Sequence, residues 1–134
     1  MAIRLLAATA ALVSAAVHLR MWFDGVRDVH VIGPLFLVNA VAGVVIAALL
    51  VTWRHWAPFF LVLGFGASTL GAFTISATVG LFGLHEHWAG NLVWTAAAAE
   101  SVAIVTGLVG LWHQITVTRQ PVRARVTAEG IRRR

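Results

Sequence analysis

Two groups of side chains in this chain have the types and spacing to do chemistry. One is the triplet His85-Glu86-His87, set between apolar runs; the other is a lone carboxyl, Glu100, inside the run that follows. Neutral imidazole and carboxylate are natural ligands for zinc or copper where no thiolate is available, and the chain has no cysteine. An extended His-x-His segment brings two imidazoles to one ion, and His18 or His30 supplies a third ligand from across the bundle. A metal ion or redox cofactor facing outward is one reading. The other is a wet turn between two apolar helices, since polar and aromatic residues collect where a helix meets the membrane surface. Haem fits least well, because these histidines sit at helix ends rather than inside two facing helices.

Glu100 has two readings as well. An ionised carboxylate deep in hydrocarbon is costly, so such a residue faces a cavity or a partner. It is either the proton-handling group of a small proton-coupled transporter or a hydrogen-bonding group that ties its helix to Asn39 or Thr74. No nucleophile–base pair and no metal-hydrolase motif accompanies it, so enzymatic activity is not favoured.

The elements that position these residues follow from composition. The chain is 60% hydrophobic and 11% charged, against about a quarter charged in soluble domains. Four apolar runs, 3–23, 31–53, 58–84 and 88–112, each reach the roughly 20 residues needed to cross about 30 Å of hydrocarbon. The first resembles a signal peptide in its early Arg4 and small residues, but its apolar run extends beyond the cleavage-like stretch and reads as an uncleaved span. The fold class is therefore all-α, an integral membrane four-helix bundle over residues 1–113, with a basic tail at 114–134.

Charge sets the orientation. With four spans, Arg4, Arg54 and the tail residues Arg119, Arg123, Arg125, Arg132, Arg133 and Arg134 lie on one side, and Arg20 and Arg27 on the other. The positive-inside rule then makes both termini cytoplasmic. The location implied is a bacterial cell membrane, reached as a multi-pass protein. The tail reads as unlikely to fold alone and suited to anionic lipid headgroups; with no binding module beside it, nucleic acid is a poor partner.

Helices in lipid pack through small residues and turn polar groups away from the acyl chains. On that basis the inward stripes are Ala7, Ala11, Ser14 and His18; Leu35, Asn39, Ala42, Gly43 and Ala47; Gly64, Ala67, Gly71, Thr74 and Thr78; and Ala96, Ala97, Glu100, Ala103 and Gly107. Counting about 1.5 Å per residue from Trp88 puts Glu100 roughly 15–18 Å deep. A polar track thus runs from the outer loops to mid-bundle through Ser14, Asn39, Thr74 and Glu100. Such faces also suit a homo-oligomer or a place in a larger membrane complex. A non-enzymatic accessory or assembly subunit is accordingly the leading functional expectation.

In size and four-span layout, with the Gly/Ala-rich second helix "NAVAGVVIAALL" and a third run closing on His85, the chain resembles the DoxX-like small membrane proteins. That resemblance implies a four-helix membrane bundle. Some members of the group are linked to sulfur or thiol redox chemistry, for which this chain has no cysteine. It is also similar to small multidrug transporters in holding a membrane carboxyl, although theirs lies in the first helix and this one in the fourth.

Overall fold

A computed structural model describes residues 1–82, 85 and 87–132, with side chains placed through Thr116. Glu86 and the side chains of the tail arginines lie outside the described residues. The chain forms α1 (Ala2–Phe23), a short 3-10 turn (Val26–Asp28), α2 (Ile32–Thr52), α3 (Ala57–Thr78) and α4 (Asn91–Arg132). The helices are continuous because Ala, Leu and Val dominate them and proline falls near the starts of α2 and α3, where its missing N–H costs nothing. Four segments, Ala2–Phe23, Ile32–Thr52, Ala57–Thr78 and Asn91–Thr116, are long and apolar enough to cross a membrane. α3 ends earlier than its apolar run suggested, and the backbone of α4 continues through the basic tail despite Pro121. The tail is thus helical in backbone rather than irregular.

Helix α1 packs closely on α2 and α4, and α3 on α4, whereas α2 and α3 meet much less. The close pairs are made by small residues. A Cβ on Gly43 would sit 2.8 Å from the Ala11 carbonyl and the Ala15 methyl, so only glycine permits α2 to approach α1 this closely. On α3, a Cβ at Gly66 would stand 2.7 Å from the carbonyl oxygen of Glu100. That contact sets α3 directly behind the residue singled out above.

The tightly packed core occupies one half of the bundle, where Ala7, Ala11, Ala47, Leu50, Val62 and Ala103 meet. Arg4 closes this end. It is buried, and its guanidinium donates to the carbonyls of Leu50 (3.3 Å), Trp53 (2.9 Å) and His55 (2.8 Å) while lying 4.7 Å from the Phe59 ring centroid. The last carbonyls of a helix have no intrahelical partner and carry the negative end of its dipole. A fork of N–H donors from α1 therefore caps α2 and fixes the turn into α3.

The inward stripes hold on α1 and α4. Ala7, Ala11, Ser14 and His18 are all buried, as are Glu100, Ala103 and Gly107. The stripe on α3 is corrected: Ala67, Thr74 and Thr78 are exposed, and the buried face runs through Phe59, Val62, Phe65, Gly66 and Ser76. Thr74 and Thr78 instead turn their hydroxyls back onto the carbonyls of Leu70 and Thr74. Helix α3 is apolar all round, so its small residues had two faces to choose between, and bulky Phe59 and Phe65 fill the core.

Candidate functional site

Beside the packed core, the bundle holds a partly open cavity of about 560 Å³, within the usual range for small-molecule sites of about 300–1,000 Å³. All four helices contribute to it. Its walls are mainly apolar, with Ile32, Phe36, Phe65 and Phe73 among them, and its polar lining includes His18, Asn39, Thr69, Ser76 and Glu100. The cavity runs from the end near the 24–31 connection, where the sequence placed a polar track, down to the level of Ile46, Phe60 and Leu61.

Two of its polar groups, His18 and Glu100, interlock through Ser14 behind them. Glu100 is 2% exposed. The Ser14 hydroxyl donates to Glu100 Oε1 at 3.2 Å, and His18 Nε2 stands 3.9 Å from the same oxygen. His18 Nδ1 lies 2.9 Å from the Ser14 carbonyl oxygen and 3.4 Å from the Ser14 hydroxyl oxygen. A carbonyl only accepts, so Nδ1 carries a hydrogen. Neutral His18 is then held as the tautomer whose Nε2 lone pair faces the carboxyl of Glu100. The imidazole is also braced against Phe36, with ring centroids 4.9 Å apart.

This arrangement can keep one proton in either of two places. With the proton on Glu100, its hydroxyl faces a bare Nε2; with it on Nε2, an imidazolium faces a carboxylate that Ser14 already bonds. At 3.9 Å the two atoms are beyond direct hydrogen-bond length, so proton transfer between them requires the two side chains to approach. The Ser14–His18 pair arises from helical spacing, since residues four apart stack on one face, and α4 brings Glu100 to that face from across the bundle.

Asn39 makes a second polar point on the wall. The Thr69 hydroxyl donates to Asn39 Oδ1 at 3.1 Å, its hydrogen shared with the Phe65 carbonyl at 2.8 Å. The buried Nδ2 of Asn39 has no hydrogen-bond partner among the described residues. Neither Thr69 nor this amide's vacancy was foreseen from spacing; the polar residue at 69, facing Asn39 from α3, is the signal that identifies the pair. Thr74, expected beside Glu100, lies on the outer surface of α3.

Among the described residues, no three His, Asp or Glu side chains stand together as a metal-binding group. His18 is committed to Ser14 and Glu100, His85 packs its ring over Gly80, and His30 and His87 are exposed. The part of the triplet that depends on Glu86 falls outside the described residues. Near the first outer connection, Arg20 pairs with Asp24 at 2.9 Å and Arg27 approaches Asp28 at 3.7 Å. Both are exposed local pairs, of little energetic consequence.

Compared with protein-family models, with curated proteins and with solved structures, the chain matches none.

Proposed function

We propose that this chain is a non-enzymatic, multi-pass protein of a bacterial cell membrane that binds a small molecule in its central cavity and exchanges a proton there through Glu100 and His18. The observation that carries this reading is the placement of Glu100. A carboxyl that served only to pin two helices would be best satisfied in a packed interface. Here it borders an open volume, bonded on one side by Ser14 and faced by an oriented imidazole. A group that changes charge where a ligand arrives makes binding depend on pH, which is the working part of a proton-coupled carrier.

Both termini on the cytoplasmic face is the orientation supported by the excess of arginine at Arg4, Arg54 and the tail. The polar end of the cavity, at His18, then lies in the outer half of the bilayer. On the same reading the basic end of α4 rests against anionic lipid headgroups.

The test uses methyl nonyl ketone as a probe, added to the protein in lipid nanodiscs over a pH series, with bound probe counted by native mass spectrometry. Wild type is expected to retain one equivalent in an amount that varies with pH, and Glu100→Gln to bind with a flat profile. A Glu100→Gln protein that keeps the wild-type pH profile and only melts earlier would return Glu100 to a purely structural role.

A second reading, assembly with another membrane protein or a second copy, is favoured by the exposed small-residue face of α3. Ala67, Thr74 and Thr78 are exposed there, and a Cβ on Gly71 would meet nothing within 4 Å. Faces of this kind let helices approach closely in lipid. Cysteines introduced at Ala67 and Thr74 would cross-link between chains if this face is an interface, and would stay monomeric if it is not.

A further inference from the structure

The cavity wall is incomplete on one side. Leu35 and Val38 of α2 and Phe60 and Leu61 of α3 all line it, yet they are 47%, 62%, 58% and 40% exposed. These two helices pack against each other much less than α1 does on α2 or α3 on α4. Between them a Cβ on Gly64 would meet nothing within 4 Å. A shallow apolar groove formed by Val41, Val45 and Leu49 of α2 with Leu61 of α3 adjoins this gap and shares Val38, Ala42 and Ile46 with the cavity. In the membrane this side faces acyl chains, so the gap is an entrance for molecules dissolved in the bilayer.

The wall inside the entrance carries a buried hydrogen-bond donor. Asn39 lines the cavity, its amide oxygen is taken by Thr69, and its NH2 is buried with no partner among the described residues. The amide is oriented with its oxygen toward the Thr69 hydroxyl, which leaves the NH2 as the unpaired end. A buried donor left unmade costs about 1–3 kcal/mol, and in hydrocarbon no water reaches it. A ligand oxygen that only accepts removes that cost; a hydrocarbon does not.

We infer that the cavity takes a neutral, bilayer-soluble carbonyl compound, which enters sideways between α2 and α3 and gives its oxygen to the amide of Asn39. This rests on the binding reading above and names the ligand class and route for the same cavity. A carbonyl matches a lone donor because it needs none of its own hydrogens satisfied. The apolar remainder of the molecule lies along Phe36, Phe65 and Phe73. Entry from the bilayer needs no polar vestibule, and the exposed edge at Leu35 and Leu61 is apolar.

The experiment compares methyl nonyl ketone with n-undecane, at one pH, in nanodiscs containing wild type, Asn39→Leu, Thr69→Val or Gly64→Phe. Wild type is expected to prefer the ketone by about three- to tenfold after correction for lipid partitioning, the worth of one hydrogen bond. Asn39→Leu should lose that preference, whereas Thr69→Val, which keeps the amide NH2, should retain it. Gly64→Phe narrows the entrance and should slow uptake several-fold while leaving the preference intact. Independently of any variant, the carbonyl stretch of bound ketone should fall to lower frequency than in protein-free nanodiscs.

Equal affinity for ketone and hydrocarbon, with an unshifted carbonyl band, would overturn carbonyl recognition and leave an apolar filler such as an acyl chain as occupant. Unchanged uptake by Gly64→Phe would overturn the lateral route. The proton-exchange reading fails differently, by a wild-type pH profile that survives Glu100→Gln, so the two can be told apart.

Discussion

His18 Nε2 and Glu100 Oε1 stand 3.9 Å apart, their side chains 9% and 3% exposed, with the Ser14 hydroxyl bonded to the same oxygen at 3.2 Å. Two titratable groups this close and this buried share one electrostatic fate. Removing either changes what the other can carry.

Breaking such a pair from one side is more harmful than removing it whole, since the survivor is left buried without its partner. His18→Ala is therefore expected to destabilise the protein by about 3 kcal/mol. The double variant His18→Phe/Glu100→Met, which fills the volume with apolar atoms, should be at least as stable as wild type. Unfolding in mixed micelles measures both. A double variant less stable than either single one would mean that the polar group holds the bundle together.

Ser14 is fully buried and donates to Glu100. Ser14→Ala loses this one bond with little change in volume and should cost about 1 kcal/mol, the usual worth of an interhelical hydrogen bond in a membrane protein. Thermal unfolding in detergent, read beside the Ser14→Ala/Glu100→Gln double variant, isolates the bond. Additive losses would show that the two side chains do not interact.

Arg4 joins three backbone carbonyls at the end of α2. Arg4→Met keeps the apolar stem and removes the fork, with an expected loss of about 2 kcal/mol. Lysine should not restore it, because one ammonium cannot reproduce the planar arrangement of donors. The expected local consequence is faster amide exchange at Trp53 to His55, measured by mass spectrometry.

Gly43 admits α2 to within touching distance of Ala11 and Ala15. Gly43→Val forces these helices apart and should cost about 2–3 kcal/mol through overpacking. Gly64→Val, on the open side, should be close to neutral. The contrast between the two glycines, followed by denaturant-induced loss of helical circular dichroism, checks the asymmetric packing.

Much of the fold was legible because length and apolarity set the helices and small-residue spacing set the faces of α1 and α4. Ser14, His18 and Glu100 were identified by the same logic, since each is a polar residue on an otherwise small-residue stripe. Helix α3 was misread. In a helix whose outward side is also apolar, period alone does not say which stripe faces in, and the partner side chains decide. Thr74 followed that error to the surface. The histidine triplet was legible only as an outer turn between apolar runs: whether its side chains converge depends on a loop path that spacing does not encode, and Glu86 lies outside the described residues. Arg4 read as a topological charge, whereas its fork also caps a helix from a different segment, a contact that no local pattern encodes.

The central claim is that one proton is held between His18 and Glu100 at the edge of the cavity. Nitrogen NMR on the protein labelled at histidine, in nanodiscs, reads it directly. The account predicts that Nδ1 of His18 is protonated throughout, and that the Nε2 resonance moves both in Glu100→Gln and on adding methyl nonyl ketone. An unprotonated Nδ1, or an Nε2 resonance identical in wild type and Glu100→Gln, would contradict it.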